Sequence, residues 1–169
     1  MGRFGDRPGF LVSALFAVFA LTAAPTVEWL DVGELVASSW DLGVSHPPGQ
    51  PLPTLIWRLA MLVPLGGIAY RATLVSAACA GLAALPLLIL ARRLAGPLEE
   101  RLRPTFQVAV CVAALLGLAT WPQAIRAEVY APQLLLGLGV VAAAMACSGR
   151  EPVRAVVVMV AVLGLSGAT

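Results

Sequence analysis

The chain has 169 residues, of which 60% are apolar and 12% charged, with a net charge of +2 and a mean hydropathy of +0.91. Eleven arginines and nine acids are too few to coat a water-soluble globule of this size. The same numbers exclude a disordered chain, a collagen and a secreted disulfide scaffold, and leave an all-α integral membrane protein.

Uncharged runs of 20, 20, 22 and 21 residues extend over 8–27, 72–91, 104–125 and 129–149. About 20 apolar residues in a helix cross a hydrocarbon core of roughly 30 Å. The runs are mainly Leu, Ala and Val without period-two alternation, which argues against barrel strands. In chain order the reading is span 1 over 8–27, an external loop over 28–70 and span 2 over 71–91. A cytoplasmic loop over 92–103, span 3 over 104–122, an external turn over 123–131 and span 4 over 132–149 follow. The last 15 residues, 155–169, read as a partial fifth span.

Arginine placement orients these elements. Arg3 and Arg7 precede span 1, Arg92, Arg93, Arg101 and Arg103 follow span 2, and Arg150 and Arg154 follow span 4. Eight of eleven arginines thus fall on one side, which the positive-inside rule makes cytoplasmic together with the N-terminus. The first run, with small residues around Ala20 to Ala24, also fits a cleaved signal peptide, and that alternative stays open.

Within the external loop, Leu30 to Leu42 reads as a short helix closed by Gly43. Four prolines between Pro47 and Pro53 then favour an extended path. Thr54 to Val63 reads as an apolar helix too short to span, lying on the membrane surface or re-entering it. Cys79, Cys111 and Cys147 all fall inside spans and have neither disulfide nor metal-ligand spacing. The dispersed arginines make no case for nucleic acid.

Asp31, Glu34, Ser38 and Asp41 are spaced by three, four and three, which stacks them on one helix face. The stripe has two readings: an acidic site, or a solvated face in which Asp31 and Glu34 form a capping box. His46 is either a proton shuttle or ligand or a turn residue bonded to the backbone. Arg58 and Arg71 flank an apolar stretch and either bind a lipid phosphate or extend to the interface. Arg126 and Glu128, in the second external turn, read first as a local ion pair.

Several strings together carry a resemblance: Ala24-Pro25-Thr26, Trp29-Leu30-Asp31-Val32-Gly33-Glu34-Leu35 and Leu42-Gly43-Val44-Ser45-His46-Pro47-Pro48-Gly49-Gln50-Pro51-Leu52. Ala69-Tyr70-Arg71 with Ser76, Ala127-Glu128-Val129-Tyr130 and Gly164-Leu165-Ser166 continue the same order. The set resembles the N-terminal part of a large bacterial multispan membrane family, formerly a domain of unknown function. Its animal relative is a transmembrane protein O-mannosyltransferase. The resemblance implies a glycosyltransferase of the GT-C class, in the bacterial inner membrane, that takes a sugar from a polyprenyl-phosphate carrier on the outer side. It places the essential carboxylate at Asp31, with Glu34 as its companion.

The implied roles are a general base for Asp31 and phosphate binding for Arg71, Arg58 or Arg126. His46, Glu34 and Glu128 would orient the base or the substrates. The acceptor is expected to be a protein Ser or Thr hydroxyl. With no Asp-x-Asp string, no metal and no cofactor are expected. Relatives are several times longer, go on to an Asn-His pair beyond Gly164-Leu165-Ser166, and often carry asparagine where Thr73 stands. The expectation is therefore a piece of a longer enzyme, or an inactive remnant. A transporter or flippase subunit and a membrane scaffold packed through its small residues stand as alternatives.

Overall fold

The computed structural model describes residues 8–28, 31–47 and 49–147. These form eight helices and, among the described residues, no strand: α1 (Pro8–Thr22), α2 (Val32–Asp41), α3 (Pro51–Met61), α4 (Ile68–Leu82), α5 (Ala84–Leu94), α6 (Arg103–Leu115), α7 (Trp121–Ala124) and α8 (Tyr130–Cys147). The partial fifth span lies outside the described residues.

One rod, Ile68–Leu94, is long and apolar enough to cross a membrane. It comprises α4 and α5, joined at Ala83. Pro86 accounts for the joint, because its ring and missing N–H disturb the turn at residue 82, four positions earlier. The rod extends past the expected 71–91 at both ends.

The other three expected spans are apolar but shorter. Helix α1 has 15 residues, about 22 Å at 1.5 Å per residue, and does not run to residue 27. Thr22 turns its hydroxyl back to Val18 C=O at 2.8 Å, and Pro25 resists further helix. The expected 104–122 span is broken into α6 and the four-residue α7. At Gly117 a Cβ would stand 2.7 Å from Ala113 O, and Pro122 removes a donor from the next turn. A run of uncharged residues marks where the chain is apolar; glycine and proline decide where the helix stops.

Helix α1 packs on α4, α8 crosses α4 and α5, and α6 lies on α5. Leu15, Phe19, Ala77, Ala80, Ala84 and Leu115 are among the buried residues of this bundle. Alanines and Gly81 let the backbones approach: a Cβ on Gly81 would meet Phe16 N at 3.2 Å. Phe19 and Trp121 meet edge to face, with centroids 5.8 Å apart.

A second core lies under the α2–α3 pair. Val32, Leu35, Val36, Trp57, Met61 and Ala72 are buried together there. The prolines do not exclude helix, as expected, but open it: Pro51 and Pro53 sit in the first turn of α3, where no intrahelical N–H is needed. Helix α2 ends with Leu42, not Gly43, in the left-handed region at φ 53°, while the Gly43 N–H still reaches Ser38 C=O at 2.8 Å. Gly66 makes the α3–α4 turn at φ +63°, where an added Cβ would press on the Tyr70 ring at 3.1 Å.

Candidate functional site

The polar cluster forms where α2 begins. Asp31 precedes its first residue and Glu34 lies in its first turn. No side-chain capping bond is made by Asp31, so the capping-box reading of the pair is not realised. Glu34 turns instead to the loop that follows α2. It accepts the backbone N–H of His46 and stands 3.0 Å from the imidazole Nδ1. The other ring nitrogen, Nε2, is 4.0 Å from Asp31 Oδ2. The left-handed turn at Leu42 is what reverses the chain and allows a histidine twelve residues on to reach Glu34.

Each charge acts on the others. The hydrogen bond from His46 holds the Glu34 carboxyl below its ordinary value of 4.5. Reciprocally, that bond lifts His46 above 6.5, with the Asp31 and Glu128 charges adding to it. Glu34 is stabilising when ionised above its lowered value, and His46 when protonated below its raised one. The pair is therefore strongest between about pH 4.5 and 6.5 and fades on either side. In buffer freed of divalent ions by a chelator, the His46 ring protons should titrate with a midpoint above 6.5. Glu34→Gln should return that midpoint toward 6.5; an unchanged midpoint by NMR would show that the contact does not form.

Glu128, in a distant part of the chain, acts on the cluster through its charge. It lies in the turn before α8 and is only 4% exposed. Ser76, fully buried on α4, fixes this turn: its Oγ donates to Glu128 C=O at 3.2 Å and accepts the Glu128 N–H at 3.4 Å. Burial raises the Glu128 carboxyl above its usual range, against the pull of Arg126, and Asp31 and His46 both act on it. Ser76 was not among the expected site residues. A serine in an alanine-rich helix gave no sign of its partner 52 positions away.

The chain matches the Protein O-mannosyl-transferase TMEM260 N-terminal domain over residues 31–169. The mouse Protein O-mannosyl-transferase TMEM260 is 34% identical over 130 residues, covering 75% of this chain and 17% of the mouse protein. The chain belongs to the TMEM260 N-terminal domain family. No solved structure matches it. The matched segment begins at Asp31 and includes every member of the cluster.

The arginines of this TMEM260-type domain are placed differently from the acids. Arg71 donates from Nη1 to Met61 C=O at 2.7 Å, from Nη2 to Gly66 C=O at 2.8 Å and from Nε to Leu65 and Gly66 C=O at 3.2 Å. It clamps the α3–α4 turn. Arg58 lies over the Trp40 ring, 4.5 Å from its centroid. Arg126 is 6% exposed and donates to Pro122 C=O at 3.0 Å and Gln123 Oε1 at 2.9 Å. Its charge lowers the Glu128 carboxyl against the effect of burial. Asp41, the far end of the acidic stripe, is not part of the cluster.

The same TMEM260-type loop has further polar atoms that the sequence reading did not single out. Ser45 Oγ and Gln50 Oε1 are buried without a hydrogen-bond partner among the described residues. A cavity of about 450 Å³ opens beside Gln50, lined by residues 42–44, 49–51, 54 and 55.

Proposed function

We propose that this chain is the N-terminal, carboxylate-bearing part of a membrane glycosyltransferase of the O-mannosyltransferase type. The observation that carries the proposal is the convergence of Asp31, Glu34 and His46 within the segment matching the TMEM260 domain. In this reading the donor is a sugar on a polyprenyl phosphate and the fold is of GT-C type. The cluster faces the outer side of the membrane, the arginine-rich loops face the cytoplasm, and the 68–94 rod crosses it.

Asp31 is the general base. Its carboxylate accepts the proton as the acceptor hydroxyl attacks the anomeric carbon, and the bond from that carbon to the phosphate oxygen breaks. Glu34 orients His46, and His46 in turn restrains Asp31 across their 4.0 Å separation. The phosphate leaves with its negative charge and needs a cation to receive it. Arg71 and Arg58, expected for that task, are engaged at a turn and on an indole, apart from the acids. Arg126 lies in the turn that carries Glu128, and it is the arginine whose field reaches the cluster.

The test is transfer of radiolabelled mannose from a polyprenyl-phosphate donor to a Ser/Thr-containing acceptor, using the complete protein that carries this chain in a detergent–lipid mixture. Label on the acceptor, absent when the donor is a nucleotide sugar, is the expected result. Transfer from the nucleotide sugar alone, or no transfer from either, contradicts the proposal.

A further inference from the structure

The charges at the cluster do not balance. Asp31, Glu34 and Glu128 supply three carboxyl groups, against which stand the His46 imidazole and, acting on Glu128, the Arg126 guanidinium. A phosphate-bearing donor approaching such a site meets like charge, which a low-dielectric membrane boundary makes more costly.

The geometry suits a cation. Asp31, Glu34 and His46 each offer a ligand atom, and these atoms lie within 4.8 Å of one another. Glu34 holds the imidazole through Nδ1 and through the backbone N–H, so that Nε2 is turned toward Asp31 Oδ2 at 4.0 Å. A carboxylate on one ring nitrogen, with the other nitrogen facing a second anionic ligand, is how proteins orient a metal-binding histidine. Ligands about 2.1 Å from one ion stand roughly 3.0 Å apart at right angles and roughly 4.2 Å apart when opposed. The 4.0 Å separation of Nε2 and Oδ2 falls inside that range.

An independent observation comes from the turn before α8. Glu128 is 4% exposed, and its charge interacts with those of Arg126, Asp31 and His46. Burial disfavours the ionised form of its carboxyl. Its main chain is pinned in place by Ser76, so it is held there and does not simply escape to solvent.

We propose that Asp31 and His46 are ligands of a divalent cation, with Glu34 orienting the imidazole. Mixed nitrogen and oxygen donors favour Mn²⁺ or Zn²⁺ over Ca²⁺. This replaces the expectation of no metal drawn from the lack of an Asp-x-Asp string. The role of the cation rests on the transferase reading: it would receive the charge of the departing phosphate. One Asp31 oxygen then binds the ion and the other stays available to the acceptor hydroxyl. The existence of the site does not depend on that role.

The experiment is a titration of the chelator-stripped full chain with Mn²⁺, read by continuous-wave and pulsed electron paramagnetic resonance. One Mn²⁺ per chain is expected, with hyperfine coupling to a histidine nitrogen. His46→Gln should abolish the coupling, and Asp31→Asn and Glu34→Gln should each weaken binding by about tenfold or more. Glu100→Gln, an exposed acid distant in sequence from the cluster, should change nothing. Absence of nitrogen coupling in the wild-type chain, coupling that persists in His46→Gln, or equal weakening by Glu100→Gln would overturn the proposal. The wild-type coupling decides alone if a variant does not fold. Mn²⁺ bound through nitrogen in a protein that transfers no sugar would leave the cation site standing and overturn only the transferase reading.

Discussion

Asp31→Asn in the complete protein should lower sugar transfer by about 10² or more, within the 10²–10⁴ that a positioned general base contributes. The change keeps the size of the side chain and removes the basic oxygen. Since Asp31 makes no capping hydrogen bond, the helix loses no cap and the protein should remain folded. Asp41→Asn serves as the internal comparison, because Asp41 shares the helix face but not the cluster. Its loss should be less than about twofold, the scale of a change in an exposed charge screened by salt. A circular-dichroism melt on each variant separates chemistry from folding. Equal, small losses at both positions would make the stripe a solvated face.

Trp57→Ala should cost about 3–5 kcal/mol of stability, the usual range for deleting a large buried aromatic side chain. Trp57 has no solvent exposure and is the largest fully buried side chain among the described residues. It belongs to the core that joins α2 and α3 to the first turns of α4. Because its Nε1 has no partner among the described residues, Trp57→Phe forfeits no hydrogen bond and should cost far less. A thermal shift assay in detergent distinguishes the two, and similar losses would show that a specific polar role for the indole had been missed. The Ala variant should also free the His46 loop, since α2 and the start of α3 bracket it. Its His46 ring should then titrate nearer 6.5.

Much of this was legible in the residues, and the gaps have physical reasons. The i, i+3 spacing of Asp31 and Glu34 was sufficient to place both on one helix face. That His46 belongs with them depends on a left-handed leucine, a conformation most residues avoid and which pointed to Gly43 instead. Glu128 and Ser76 meet through packing of α4 against the turn before α8, and no local pattern records a contact across 52 positions. Arg71 shows what residue type alone leaves out. Arg71 sits where a phosphate ligand was expected, yet the tight turn through Gly66 leaves carbonyls that it satisfies itself.

Spans were read from the absence of charge, which measures apolarity and not helix length. The 68–94 rod has both. In α1 and α6 the helix stops before the apolar run does, at Thr22 and at Leu115. Trp57 makes the same point for single residues. It lies in the Thr54–Val63 stretch expected on the membrane surface or re-entering it, yet it is sealed in the core. Burial of that kind follows from the α2–α3 pair folding back on α4, which is tertiary information.

If Asp31, Glu34 and His46 work as one unit, a double-substitution cycle will show it. Transfer rates are measured for the complete protein, for Asp31→Asn, for His46→Gln and for the double variant. His46 acts through Asp31, so His46→Gln alone should lose roughly tenfold, and the double variant should lose no more than Asp31→Asn alone. Losses that multiply in the double variant would mean that the two residues act independently, and would contradict the account.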